Sequence, residues 1–115
     1  MVQLTTLWPG EFHRCVRTFT VVLSPDQESG GYSVTCPAMP GAISEGDSRE
    51  ETLQNIQEAM DLWLDVSAEH AELPLAETPE LIAAEVASVL NWRAEEGWPL
   101  IVETATVTLS SAVAA

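Results

Sequence analysis

The acidic stretch at residues 45–51 carries the side chains with the densest potential for chemistry. Glu45, Asp47, Glu50 and Glu51 place four carboxylates within seven residues, and carboxylate oxygens are ligands that divalent cations prefer. The same stretch precedes a helical apolar repeat, and acidic residues commonly stabilise the positive end of a helix dipole. We therefore expect Asp47, Glu50 and Glu51 to stabilise the start of that helix, and we expect no metal site.

Ser44 lies in Ala42-Ile-Ser-Glu-Gly46, which is close to the Gly-x-Ser-x-Gly turn that exposes a catalytic serine. Such a serine needs a histidine base and an orienting acid, and only His70 follows it in the chain. His13 and His70 lack the paired spacing of metal ligands. A phosphate loop is excluded because the chain contains no lysine. The sequence therefore predicts a protein that is not an enzyme and that binds no cofactor.

The composition describes one small, folded and strongly acidic domain. The chain has 115 residues, 46% of them hydrophobic, and a formal net charge of -14 with only four basic residues, all arginine. This charge repels nucleic-acid phosphates and attracts basic proteins. No apolar run approaches the ~20 residues of a membrane span, and the N-terminus lacks signal-peptide features. We expect a cytoplasmic protein whose Cys15 and Cys36 are reduced.

The first half of the chain predicts three strands and a helix. Residues 15–23 and 31–36 alternate as strands around a turn rich in proline, aspartate and glycine, and residues 42–44 form a short third strand. The helix that follows has one apolar stripe: Leu53, Ile56, Met60, Trp63 and Leu64. The residues that shape the turns and the helix cap are Pro37, Pro40, Gly41, Gly46, Ser48 and Glu51.

The second half predicts a helix and a strand. Thr78 and Pro79 form a helix start, and Gly97 suits its end. Residues 100–109 alternate threonine with apolar residues and read as a strand. The fold class is thus α/β (α+β): a two-layer arrangement of a small antiparallel three-stranded sheet packed by a helix, followed by a second helix and a C-terminal strand, in the order β-β-β-α-α-β.

The predicted organisation divides the chain into four parts. An N-terminal arm or edge strand spans residues 1–14, and the β-β-β-α core spans 15–72. The C-terminal helix and strand, residues 73–109, complete the same domain, and residues 110–115 form a flexible tail.

The order of these motifs resembles that of the HicB-like antitoxin family, over about residues 19–74. The combination of turn, acidic cap and helix carries the resemblance. Its residues are Gly31-Tyr32-Ser33-Val34, Pro37, Met39-Pro40-Gly41, Ser44-Glu45-Gly46-Asp47-Ser48, Glu50-Glu51, Glu58-Ala59 and Leu62-Trp63-Leu64.

The resemblance implies a degenerate RNase H-like fold without catalytic residues. It also implies a partner, the small basic HicA-type toxin that cleaves mRNA, which the antitoxin neutralises by covering its active site. The alternative is a stand-alone HicB-like scaffold or regulator that forms homo-oligomers and has no toxin. Self-association to a dimer or tetramer is expected in either case.

Many proteins of this family add a module that binds operator DNA, but residues 74–115 carry a single arginine and the wrong element order for a ribbon-helix-helix module. The sequence therefore argues against DNA binding. The residues expected to contact a partner are Tyr32, Ser44, Glu45, Asp47, Glu58, Asp61 and Asp65.

Overall fold

The computed structural model describes the backbone of residues 12–114 and the side chains of residues 17–109. Most of the expected N-terminal arm, residues 1–11, lies outside this range. The elements follow the predicted order. They are β1 (Phe12–Pro25), β2 (Tyr32–Thr35), β3 (Ile43–Gly46), α1 (Arg49–Glu69), α2 (Pro79–Glu95) and β4 (Glu103–Ala114).

The four strands form one antiparallel sheet in the order β3-β2-β1-β4. The C-terminal strand returns to the sheet and pairs with β1 over its whole length, from Leu23↔Glu103 to Phe12↔Ala114. It extends to Ala114, beyond Leu109 where the alternating pattern ends, because β1 starts early enough to pair with these residues. By contrast, β2 pairs with only four residues of β1, Val22 to Pro25.

The main core lies between α1 and one face of the sheet. Alternate residues of β1, namely Phe19, Val21 and Leu23, point to this face and are buried. From α1, Ile56 and Met60 are buried against them, with Leu53, Trp63 and Leu64 packed at the margin. This is the stripe that the sequence predicted, and its burial holds α1 across the sheet.

The helix α2 lies against the other face of β1 and β2. Glu85 of α2 accepts a hydrogen bond from Thr35 Oγ1 at 2.9 Å, and Val22, which points away from α1, is only 2% exposed. Nothing in the sequence indicated this placement, because the apolar stripe of α2 is compatible with packing on either face.

Arg93 fixes the C-terminal end of α2 to the sheet. Its side chain is fully buried. The guanidinium donates to the carbonyl of Pro99 at 2.5 Å and to that of Pro25 at 2.6 Å, and it packs over the ring of Trp98. These two acceptors offset part of the cost of burying the charge, while Nη2 is buried without a hydrogen-bond partner. Arg93 is therefore not displayed to a partner.

Within the described residues, neither helix combines the length and the apolar character that crossing a membrane would require.

Candidate partner-binding site

The turn between β2 and β3 is built on a proline followed by a glycine. Ala42 donates to the carbonyl of Met39 at 2.9 Å, which closes a turn with Pro40 and Gly41 at its centre. Gly41 has φ +97, as the second central position of a type II turn requires. Trp63 of α1 donates its indole N–H to the carbonyl of Pro40 at 2.9 Å. The turn and α1 therefore hold β3 in place as a unit.

The N-terminus of α1 is capped from both directions. Ser48 is the N-cap, and its hydroxyl accepts from the backbone N–H of Glu51 at 3.1 Å. Glu51 reaches back to the N–H of Asp47, at 2.6 Å, one residue earlier than the N–H of Ser48 that a standard capping box would use. Asn55 donates to the carbonyl of Glu45 at 2.8 Å. The backbone of the acidic segment is thus fixed, while the carboxylates of Glu45 and Asp47 remain exposed.

Two glycines, Gly31 and Gly46, allow the acidic segment at residues 45–47 to pack closely against β2 and α1. A Cβ on Gly46 would lie 2.7 Å from both the backbone nitrogen and Oγ1 of Thr52, and a Cβ on Gly31 would lie 2.1 Å from the carbonyl oxygen of Gly46. Neither site has room for a side chain. Gly46 therefore does more than end a strand, since it lets β3 run directly onto the first turn of the helix.

These elements enclose an open cleft of about 260 Å³, which we call the acidic cleft. Its lining residues are Ser29, Tyr32, Glu45, Gly46, Asp47, Glu51 and Asn55. Three of the residues expected to contact a partner, Tyr32, Glu45 and Asp47, meet here. Ser44 is half-buried on β3 and does not line the cleft. Ser29 and Asn55 were not singled out from the sequence, although Asn55 lies one helical turn after Glu51, which could have indicated it.

The remaining three expected contacts, Glu58, Asp61 and Asp65, lie exposed on α1. Two exposed apolar side chains are next to these acids on the helix, Leu62 at 63% exposed and Val66 at 47%. Because these five residues are spaced three or four apart, they share one side of the helix. We call this surface the α1 patch. Leu62 and Val66 lie outside the apolar stripe of α1 that faces the core. Their position relative to this stripe could have indicated from the sequence that they are exposed.

The acidic cleft and the α1 patch are continuous. Glu58 follows Asn55 by three residues, so the two neighbour each other on the helix surface. The combined surface joins an aromatic residue, two exposed aliphatic residues and several carboxylates. Apolar anchors surrounded by charge are typical of protein-binding surfaces.

The described arginines do not neutralise this surface. Arg49 forms an ion pair with Glu103, 2.5 Å between Nη2 and Oε2, and this carboxylate raises the pKa of the guanidinium. Arg17 packs over the ring of Phe19, and Arg93 is buried. The field over the acidic cleft is therefore negative, and a cation is favoured there.

Two groups near these elements have shifted pKa values. The backbone N–H groups of Ser29 and Glu28 donate hydrogen bonds to the carboxylate of Asp26 and lower its pKa. The same hydrogen bonds order the β1–β2 turn beside the cleft. Burial raises the pKa of Cys36 to about 11. Cys36 is a free thiol packed in the core, an environment in which a cysteine is unreactive. Among the side chains that the structure describes, no three His, Cys, Asp or Glu residues are grouped so that they could hold a metal ion.

Comparison with protein families gives one match across most of the chain. The model of the HicB-like antitoxin of bacterial toxin–antitoxin systems matches residues 19–109. The match therefore includes α2 and most of β4, which lie beyond the region where the sequence motifs were recognised.

Individual relatives match about half of the chain. A UPF0150 protein of Synechocystis is 40% identical over 60 residues, which cover 51% of this chain and 75% of that protein. A UPF0150 protein of Thermoplasma acidophilum is 37% identical over 54 residues, or 47% of this chain and 77% of the relative.

A solved structure shares the fold. The N-terminal domain of the antitoxin HicB from Burkholderia pseudomallei superimposes with a TM-score of 0.55 at 23% identity, over 81% of this chain and 98% of that one. At this identity the similarity establishes the architecture only.

Proposed function

This chain belongs to the HicB-like antitoxin family of bacterial toxin–antitoxin systems, and we propose that it binds and neutralises a small basic toxin of the HicA type by covering the toxin's active site. The observation that supports this most is the acidic cleft. It presents Glu45 and Asp47 on a backbone that Glu51 and Asn55 hold in place.

The negative field of the protein brings the toxin to this surface. A net charge of -14 attracts a basic protein over a distance of about a Debye length, roughly 8 Å at physiological salt. Steering of this kind raises the association rate more than it strengthens the final complex. The lysine or arginine side chains of an RNA-cleaving surface would then meet the carboxylates of the cleft.

Contacts of the α1 patch slow the dissociation of the complex. Leu62 and Val66 are exposed apolar side chains, and burying such anchors at the centre of an interface excludes water from the surrounding charge pairs. A stable complex buries about 800 Å² on each partner, so the cleft and the patch together would form one contact surface. Ser44 is half-buried on β3 and outside the cleft, and the proposal gives it a part in the shape of β3 and no direct contact with the toxin.

Neutralisation by coverage requires no chemistry from the antitoxin. A bound partner that occupies the toxin's RNA-binding face excludes the substrate, and so the proposal assigns no reacting group to this chain. It also assigns no DNA contact, because Arg93, the one basic residue after position 74, is buried.

The test uses the full chain and a HicA-type toxin encoded in the same operon. Calorimetry should show binding, and an RNA-cleavage assay should show loss of toxin activity at equimolar antitoxin. The association rate should fall as salt rises, while the dissociation rate changes less. If the toxin neither binds nor loses activity, the proposal is wrong. A self-associated protein that ignores the toxin would support the alternative of a stand-alone HicB-like scaffold.

A further inference from the structure

We propose that a second cleft, on the α2 side of the sheet, binds a proline-rich peptide that carries a basic residue. The cleft has a volume of about 350 Å³ and lies between α2 and the turn that joins β1 to β2. Trp92 and Trp98 form one wall and Pro25 and Asp26 the other, and we call it the tryptophan cleft. The inference does not rest on toxin binding, because this cleft shares no lining residue with the acidic cleft.

The two tryptophans give the cleft an aromatic wall that solvent can reach. Their ring centroids lie 4.8 Å apart at an interplanar angle of 80°, which is an edge-to-face pair. Trp92 remains 48% exposed although it belongs to α2. Val89, three residues earlier on the helix, extends the apolar surface. Exposed aromatic and aliphatic side chains that adjoin one another are typical of a binding surface.

Arg93 holds both walls of the tryptophan cleft in place. Its guanidinium donates to the carbonyl of Pro25 at 2.6 Å on one wall and packs over the ring of Trp98 on the other. The backbone N–H of Trp98 also donates to the carbonyl of Arg93 at 2.8 Å. The unpartnered Nη2 of Arg93 is a local cost of the kind that proteins accept at functional sites. The cleft is thus pre-formed, which reduces the entropic cost of binding.

The rim of the cleft carries polar groups that the fold does not use. The hydroxyls of Ser24, Ser33 and Ser88 line the cleft, and no hydrogen bond among the described side chains involves them. The same holds for the indole N–H groups of the two tryptophans, whereas the indole of Trp63 is paired. A ligand that offers free acceptors would satisfy these donors.

A polyproline II helix meets these requirements better than an α-helix or a strand. Its carbonyls form no internal hydrogen bonds and can accept from the rim, whereas those of an α-helix are already paired. An added strand needs a sheet edge, and the tryptophan cleft lies over a sheet face, where Ser24 pairs with Ser33. Proline-rich segments bind in aromatic-lined grooves because their backbone is ordered before binding.

Asp26 selects a basic residue in the peptide. Its Oδ1 accepts from the backbone N–H groups of Glu28 and Ser29 at 2.8 and 3.1 Å, which fixes the carboxylate while Oδ2 takes part in neither bond. The same hydrogen bonds lower the pKa of Asp26, so the carboxylate is charged at neutral pH. The net charge of -14 also attracts a cationic peptide and repels an acidic one.

The experiment titrates the isotope-labelled full chain with the peptide acetyl-PPPRPPP-amide and follows the indole N–H signals by NMR. The signals of Trp92 and Trp98 should shift and saturate, while that of Trp63, which lies on α1, should not move. Two control peptides should each bind at least about tenfold more weakly. In acetyl-PPPEPPP-amide the acid is repelled by Asp26, and acetyl-AAARAAA-amide keeps the charge but lacks the proline rings.

Two variants with matched controls locate the binding. Trp92→Ala should weaken binding of acetyl-PPPRPPP-amide at least about tenfold, as for a central aromatic contact. Leu100→Ala is its control, because Leu100 is also exposed and does not line the cleft. Asp26→Asn retains the Oδ1 acceptor of the turn, and it should weaken binding and reduce its salt dependence. Glu28→Gln removes the same charge from the same turn outside the cleft and should leave the dissociation constant unchanged.

Four results would overturn the inference. The first is the absence of a saturable shift at Trp92 and Trp98 up to about 1 mM peptide, a concentration that detects weak association. The second is equal binding of acetyl-AAARAAA-amide, which would mean that the protein senses only charge. The third is binding that survives Asp26→Asn and Trp92→Ala; if the latter unfolds, Asp26→Asn decides alone. The fourth is a shift of the two signals with protein concentration and no peptide, which would assign the cleft to a second copy.

Discussion

Glu51 Oε1 accepts a hydrogen bond of 2.6 Å from the backbone N–H of Asp47. This bond crosses from the first turn of α1 back into the segment that displays Glu45 and Asp47, so one carboxylate both caps the helix and orders the acidic cleft. Glu51 therefore positions the site, while its neighbours are free to contact a partner.

Removing this bond should loosen the cleft without unfolding the protein. Glu51→Ala is expected to lower the free energy of unfolding by about 1 kcal/mol, because the hydrogen bond is charge-assisted but solvent-exposed. Urea unfolding measures the change. Glu50→Ala is the matched control, since Glu50 is an exposed acid in the same helical turn, and it should cost less than half as much. Equal costs for the two variants would assign the effect of Glu51 to the helix dipole alone.

The closeness of β2 to β3 predicts a contrast between two adjacent glycines. Gly31→Ala would place a Cβ 2.1 Å from the carbonyl oxygen of Gly46, so it should destabilise the fold by about 3 kcal/mol, the upper end for overpacking. The Cβ of Gly30→Ala would have no atom within 4 Å, but residue 30 would keep its φ of +82. This variant should lower the free energy of unfolding by about 1 kcal/mol through backbone strain. Thermal unfolding of both variants measures the difference, and a Gly30 variant as unstable as the Gly31 variant would contradict it.

The buried thiol of Cys36 predicts a loss of stability at alkaline pH. Burial raises the pKa of the folded thiol from an ordinary value of 9.0 to about 11. Between these values the unfolded chain releases the proton and the folded chain keeps it, so the folded state binds more protons and stability falls as pH rises. The stability that the protonated Cys36 thiol contributes to the folded state is fully present below pH 9 and is lost as pH rises toward 11.

The measurement is the free energy of unfolding of wild type and Cys36→Ala from pH 8 to pH 11. The variant is less stable at pH 8 because it leaves a cavity, and the gap between the two proteins should narrow as pH rises. A gap that stays constant over this range would show that the thiol ionises equally in both states.

Much of this fold could be predicted from local signals. The N-caps Ser48 and Thr78 mark where α1 and α2 start, since a hydroxyl that accepts from a free N–H is a property of a few neighbouring residues. The order of the elements follows from the periodicity of the apolar residues. Such signals need no knowledge of the rest of the chain.

Tertiary placement could not be predicted in the same way. The burial of Arg93 depends on carbonyls of Pro25 and Pro99, of which the first lies 68 residues away in the chain. The strand β4 extends past its alternating pattern because β1 provides a partner. The acidic cleft could be predicted in part. Its carboxylates are close together in the sequence, but Tyr32 lies beside them only because Tyr32 pairs with Gly46 between β2 and β3.

The central claim is that a basic toxin binds at the acidic cleft, and a pair of matched double variants tests it most directly. Glu45→Gln/Asp47→Asn removes two charges from the cleft, and Glu95→Gln/Glu96→Gln removes two charges from the exposed C-terminal end of α2. The net charge of the two proteins is the same, so their long-range attraction to the toxin is similar.

The measurement is the dissociation constant of each double variant with the HicA-type toxin at physiological salt. The account predicts at least a tenfold weakening for the cleft variant, equivalent to about 1.4 kcal/mol, and less than a twofold change for the α2 variant. Equal affinities for the two variants would contradict it, because the toxin would then sense only the total charge of the protein and not the acidic cleft.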